Sequence, residues 1–163
     1  ENIDMGTGKT CYPYALAECA HHTTNSTYPP CPAQEDPTPA CSTSCTDPKY
    51  PTPFKNDAHF AKQSYSLNSV NDMMSDLVTN GPITVAFDVY EDFLSYTSGV
   101  YQHKTGQYLG GHAVELIGYG TENGTPYWLI KNSWNTSWGA NGLFKIIRGR
   151  DECGIEDSAV SGL

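Results

Sequence analysis

The stretch GGHAVELIGYG, residues 110–120, followed by KNSWNTSWGANG, residues 131–142, decides how this chain is read. His112 stands just past two glycines, at the mouth of an apolar run. A thiol is mostly protonated at neutral pH, and the thiolate is the competent nucleophile. A histidine within hydrogen-bond reach can hold such a pair as thiolate and imidazolium, and a third group, often an amide oxygen, orients the ring. A histidine with that task belongs at a strand start on a cleft wall, where Gly110 and Gly111 allow close approach. Asn132 falls at the end of the neighbouring strand candidate, within reach of it. Trp134 and Trp138 could shield the polar pair from water. Each residue also has a plainer reading. His112 alone is a satisfied surface or core histidine, Gly110–Gly111 a hairpin bend, Asn132 a turn residue, and the tryptophans core. In this order and spacing they point together to one half of a thiol-dependent site.

Working outward, residues 63–163 carry the periodicity of a packed unit. SYSL (64–67) reads as a short strand. NSVNDMMSDLVTNGP (68–82) predicts a helix started by Asn68, Ser69 or Asn71 and ended by its Asn-Gly-Pro. Its apolar face would be Val70, Met73, Met74, Leu77 and Val78. ITVAFDVY (83–90) alternates as a strand, and EDFLSY (91–96) fits one helical turn. HAVELIGYG, PYWLIKNSW and LFKIIRG supply three further strands, with turns at TENGTP and GANG. Strands in series after one helix imply an antiparallel sheet or open barrel.

Residues 1–62 differ in kind. They hold nine of the 11 prolines and almost no apolar period. Proline fixes φ and lacks the backbone donor, so regular helix or central strand is excluded over most of this region. Cys11, Cys19, Cys31, Cys41 and Cys45 crowd into it, and Cys153 lies apart. That density implies disulfides and an oxidising compartment, although six cysteines allow 15 full pairings. The sequons at Asn25, Asn123 and Asn135 agree with a secretory route, and Pro126 follows the second. The opening ENIDMGTGKTC reads as the interior of a longer chain, processed or truncated. The formal charge of −9 with no basic stripe argues against a nucleic-acid partner. No apolar run approaches the roughly 20 residues that cross a bilayer.

The wording GGHA, NGTPYWL, NSWNT-WG-NG-FKI-RG and CGIE resembles the papain-like cysteine peptidases, specifically the cathepsin B group. CAHHTTNSTYPPC (19–31) is similar to the occluding loop of that group. The resemblance covers nearly the whole chain, firmly from Cys11 to Leu163. It implies an α+β papain-like fold. Residues 63–163 would be an antiparallel, β-barrel-like right domain carrying the catalytic residues. Residues 1–62 would be a disulfide-stapled remnant of the left domain, with the occluding loop at about 19–31. His112 becomes the catalytic base, Asn132 its orienting partner, Trp134 the indole lid over both, and Trp138 part of the primed-side wall. Gly110 and Gly111 border the substrate, and Ser158 stands at the floor of the S2 pocket.

His21 and His22 would bind the C-terminal carboxylate of a peptide, which makes such an enzyme a peptidyl-dipeptidase. An imidazolium pair suits that task by charge-assisted hydrogen bonding. By the family pattern Cys19–Cys31 pins the loop, Cys11–Cys45 closes its base, Cys41 pairs upstream and Cys153 is a free, buried thiol. The resemblance also implies peptide and protein substrates, a propeptide or cystatin-like inhibitors as partners, and no cofactor or metal. A lysosome, a lysosome-like vacuole or secretion is the implied location, with zymogen processing and glycosylation.

The family nucleophile stands in a CGSCW-like stretch, which these 163 residues do not contain. The expectation is therefore a chain supplying the His/Asn half of a site, inactive alone and needing the N-terminal half of the same peptidase. Cys153 as nucleophile would reverse the family order of cysteine before histidine. Zinc at CAHH finds no C-x2-C pair in the sequence, and adjacent histidines do not easily face one metal. Two departures stand out. Ser158 replaces the Glu that accepts arginine at P2, so hydrophobic P2 residues are expected. Asp157 is expected to point elsewhere in a strand. Tyr28 and Ser137 replace the ion pair that tethers the loop, which implies a looser loop and more endopeptidase activity. The competing reading is a catalytically inactive, cathepsin B-like binding protein. A structural, disulfide-stapled secreted module is the remaining one.

Overall fold

A computed structural model describes residues 8–13, 16–17, 19–20, 27–32, 34 and 37–163. The chain divides into two compact units, the first ending at Phe60 and the second containing Ala61–Leu163. His21 and His22, expected to hold a substrate carboxylate, and the sequon at Asn25 lie outside the described residues.

The first unit is held by covalent and polar ties rather than a large core. Cys11 is bridged to Cys45, and Cys19 to Cys31. The backbone follows those bridges. Thr46 N donates to Cys11 O at 3.0 Å, and Ala20 N to Pro29 O at 2.8 Å. Buried Asp47 accepts from Gly8 N at 2.7 Å and Lys49 N at 2.9 Å. Pro53 precedes a one-turn helix, α1 (Phe54–Asp57), absent from the sequence reading.

The second unit is a sheet with one helix. Its elements are β1 (Ser64–Leu67), α2 (Val70–Thr79), β2 (Ile83–Tyr90), β3 (Val100–Tyr101), β4 (Tyr108–Glu122), β5 (Thr125–Lys131), β6 (Leu143–Ile147) and β7 (Ala159–Gly162). Short 3-10 turns at Glu91–Ser95 and Glu152–Gly154 join them. The strand order is β1-β7-β2-β4-β5-β6-β3. The chain order of the sheet therefore departs from a simple meander, because the C-terminal β7 inserts between β1 and β2. All pairs are antiparallel except β3 with β6. The sheet is open, with β1 and β3 at its ends, so the expected barrel-like closure is not present in the ladder.

Period-two burial explains the central strands. Ile83, Val85, Phe87 and Val89 are buried along β2, while Thr84 and Asp88 are exposed. Trp128 and Ile130 on β5, and Phe144 and Ile146 on β6, complete that core face. Helix α2 starts at Ser69, whose hydroxyl accepts from Asp72 N at 3.1 Å, as expected of a serine N-cap. Its buried side is Met73, with Val70, Met74 and Leu77 packed beside it. Val78 was expected on that side and is instead 73% exposed, since it follows Leu77 by only one residue and so turns off the stripe.

The segment after β6 is organised by one carboxylate. Glu156 accepts from Trp128 Nε1 and Gly149 N, both at 2.7 Å, and from Asp151 N at 2.9 Å. Asp157 and Ser158 lie in the turn and bend before β7, not in a strand as expected, because this loop closes on Glu156. Replacing Glu156 by Ala would leave the indole N–H of fully buried Trp128 without its acceptor and release the two exposed backbone N–H groups that fix the loop. We expect Glu156→Ala to lower unfolding free energy by roughly 3 kcal/mol or more, and Val78→Ser by under about 0.5 kcal/mol, in denaturant titrations. Equal effects of the two would contradict this view of the loop.

Candidate active site

His112 sits inside β4, in the fifth position of that strand rather than at its start. The strand begins earlier because β2 pairs with it back to Tyr90↔Tyr108. The pairing slips there. Val89 faces Gly110 and Tyr90 faces Tyr108, so Leu109 is the extra residue of a bulge. Gly110 has φ 141°, a backbone conformation that favours glycine, and an added Cβ at Gly110 or Gly111 would meet no atom within 4 Å. The two glycines thus form an open, side-chain-free surface leading to the imidazole.

Asn132 follows the last residue of β5, which pairs with β4 through Glu115↔Lys131. Continuing that register puts position 112 opposite 134, with 132 diagonal to it. Diagonal neighbours on one sheet face are within side-chain reach. His112 Nε2 lies 2.8 Å from Asn132 Oδ1. Ser133 N donates to the same oxygen, also at 2.8 Å. A backbone N–H is always a donor, so the atom it points at is the amide oxygen. Nε2 must then carry the proton, which leaves Nδ1 as the basic nitrogen of the neutral ring. Asn132 is buried, and its Nδ2 has no partner among the described residues.

Aromatic rings hold this pair. The Trp134 indole stacks on His112, with centroids 5.4 Å apart and planes 20° apart. Phe87 lies beneath the imidazole at 6.0 Å. Trp138 meets Trp134 edge-on at 4.9 Å but is itself buried, its Nε1 donating to Leu94 O at 3.1 Å. Trp138 therefore backs Trp134 rather than lining an open wall of this unit. Phe93 is fully buried at the centre, within 5.4 Å of Phe87, Trp134, Trp138 and Phe144. Loop 132–142 closes on itself, with Asn132 N donating to Gly142 O at 2.9 Å and Gly142 N to Trp138 O at 2.8 Å. Ser137 donates its N–H and hydroxyl to Asn135 Oδ1 at 2.8 and 2.6 Å.

The other expected residues fall as follows. Ser158 is exposed, just before β7. Tyr28 is about half exposed, in the first unit. Cys19 is spent in its disulfide, which removes a thiolate from any zinc set at CAHH. No metal-ligating cluster occurs among the described residues. Cys41 is free and exposed. Cys153 is free and half-buried. Burial pushes its pKa up to about 12, helped by the charges of Glu152, Asp92 and Asp88. A thiol so surrounded by carboxylates is the opposite of an activated nucleophile.

Reading residues alone missed Phe93 and Asp92. Asp92 accepts from Tyr101 Oη at 2.7 Å, His103 Nδ1 at 3.1 Å, Lys104 N at 2.7 Å and Thr105 N at 3.1 Å. Burial opposes its charge, but these donors win and hold the carboxyl well below the usual range. The signal available was an acidic residue right after a strand, which is too common to notice.

With this geometry in place, comparison with known proteins is decisive for the family. The chain belongs to the papain family of cysteine proteases, whose family model matches residues 3–163. Within it, the chain is similar to cathepsin B-like proteinases. It is 51% identical over 155 residues to cathepsin B-like cysteine proteinase 5 of Caenorhabditis elegans, covering 94% of this chain and 45% of that protein. It is 49% identical over 154 residues to a cathepsin B-like cysteine proteinase of Schistosoma japonicum. Among solved structures it resembles procathepsin B S9 of Trypanosoma congolense, with TM-score 0.69 and 39% identity over 83% of this chain and 46% of that one. Procathepsin L 3 of Tenebrio molitor gives TM-score 0.60 at 28% identity. The chain spans less than half the length of the curated relatives it matches.

The two free thiols should separate in labelling. Cys41 is expected to react with iodoacetamide at pH 8, while Cys153, half-buried and with its thiol pKa pushed up by burial and neighbouring carboxylates, stays unlabelled until the chain is unfolded. Peptide mapping reads this directly. Faster labelling of Cys153 than of Cys41 would overturn its placement.

Proposed function

We propose that this chain supplies the histidine–asparagine half of a cathepsin B-like cysteine peptidase. The observation that carries the reading is the bond from His112 Nε2 to Asn132 Oδ1. A tautomer fixed in this way is of use only to a partner at Nδ1. The nucleophile is a cysteine of the same peptidase outside these 163 residues. Its thiol gives a proton to His112 Nδ1, and the thiolate adds to the scissile carbonyl. The imidazolium returns that proton to the departing amine, leaving a thioester. Water then attacks, His112 takes its proton, and the carboxylic acid leaves as the thiolate is restored. Through both steps Asn132 stabilises the imidazolium by accepting from Nε2, and Trp134 keeps water from that bond.

His21 and His22 add peptidyl-dipeptidase activity by holding the substrate's terminal carboxylate. Tyr28 and Ser137 stand where the family has an ion pair, and that change in residue type favours endopeptidase cleavage. Ser158 offers no countercharge to arginine at P2. Residues 1–62 are the remnant of the left domain and 63–163 the β-rich right domain. Location in a lysosome-like compartment or outside the cell, a propeptide, and cystatin-like inhibitors follow from the same reading. The disulfides support the oxidising route. Among the described residues no helix is long and apolar enough to cross a membrane.

Intact-mass analysis of the full-length protein with a thiol-directed epoxide tests the proposal. One adduct is expected, on a cysteine outside residues 1–163, and His112→Ala should abolish it. In the same enzyme a phenylalanine at P2 should be cleaved faster than an arginine. Absence of any adduct would favour the inactive binding protein, and an adduct on Cys153 would reassign the site.

A further inference from the structure

The strand that carries His112 is not anchored at its start by the sheet alone. Residues 103–107, which lead into β4, are clamped onto the turn at Glu91–Ser95. Asp92 takes the backbone N–H groups of Lys104 and Thr105 on one oxygen, and Tyr101 Oη and His103 Nδ1 on the other. Beside it, Glu91 N donates to Gln107 O and Glu91 Oε2 accepts from Gln107 N, both at 3.1 Å. The strap lies so close that a Cβ on Gly106, at φ 103°, would stand 2.7 Å from Glu91 Cβ. His103 is fixed further by the Tyr90 ring stacked on it at 3.9 Å and by Glu152 Oε1, which accepts from its N–H at 2.8 Å.

Immediately after the strap come Tyr108 and Leu109, 57% and 50% exposed, and then the bulge at Gly110. The ladder with β2 holds Gly110, Gly111 and His112 from one side. The strap holds the residues that feed the bulge, where Leu109 has no partner in that ladder. The same turn places Phe93 at the centre of the rings behind His112 and Trp134. One short turn therefore holds the approach to β4 through its carboxylate and the backing of the site through its phenyl ring.

We propose that Asp92 is a positioning residue for His112: by fixing residues 103–105 it sets the course of the bulge from which Gly110, Gly111 and His112 run into the site. This rests on the reading of the chain as part of a cysteine peptidase. Asp92 touches no substrate. Its effect reaches the chemistry through the distance between the imidazole and the nucleophile thiol, and a small misplacement there weakens the thiolate–imidazolium pair. The expected signature is a change in the nucleophile's ionisation and in kcat, with KM little altered.

The test uses the full-length enzyme. Asp92→Asn puts an amide N–H2 or a weaker oxygen against the two strap donors and removes the charge they share. The rate of thiol alkylation as a function of pH reads the nucleophile's apparent pKa, and a peptide substrate reads kcat and KM. Asp92→Asn should raise that apparent pKa by about one unit and lower kcat about tenfold, with KM within about twofold. Tyr101→Phe removes a donor on the core side but keeps both strap N–H contacts, and should lower thermal stability without moving the apparent pKa. Asp92→Glu keeps the charge and should give the same shift in smaller measure, which preserves the test if the Asn variant does not fold. A reactive wild-type thiol with unshifted pKa and kcat in folded Asp92→Asn or Asp92→Glu would overturn the positioning role. A wild type with no reactive thiol would overturn the peptidase reading, and the role with it.

Discussion

The hydrogen bond from His112 Nε2 to Asn132 Oδ1 is the constraint on which the rest of the site depends. An imidazole has two ring nitrogens, and only the one without a proton can act as a base. Asn132 cannot choose the tautomer unless its own oxygen is fixed. Ser133 N does that by donating to the same atom. The order of cause thus runs from a backbone amide to a side-chain oxygen to a ring proton. Burial of Asn132 keeps water from competing for any of these groups.

The fold exists around that bond in a concrete sense. The β4–β5 hairpin sets the diagonal between positions 112 and 132. The closed loop 132–142 brings Trp134 onto the imidazole, and the cluster around Phe93 keeps both tryptophans in place. Charged groups do separate work nearby. Glu156 ties the last loop to Trp128, and Asp92 ties the approach to β4 to the turn after β2. Cys153 lies among Asp88, Asp92 and Glu152, an environment that suppresses thiolate formation. The same chain therefore keeps the proton on one thiol while it fixes the tautomer of His112.

Much of this was legible in the sequence because the relevant signals were local. The alternation in ITVAFDVY became β2 without a change of boundary, and Ser69 was among three named helix caps. His112 and Asn132 were legible because glycines and tryptophans frame them in a short, specific wording. What the sequence hid was non-local. Nothing in the neighbourhood of Asp92 announces that residues 103–105 will fold back on it, and β7 pairs with β1 and β2 across almost the whole unit. The parallel pairing of β3 with β6 also depends on a two-residue strand too short to show a period. Val78 erred for a different reason: its apolar character fitted the helix, but its angle did not.

Nitrogen NMR of the His112 ring decides the central claim most directly. The measurement would be made on the full-length protein with its nucleophile thiol capped, at a pH where the ring is neutral. A proton on Nε2 and a bare Nδ1 are the expected result. A ring protonated on Nδ1 instead would mean that Asn132 does not orient the imidazole, and the site as described here would not be a catalytic one.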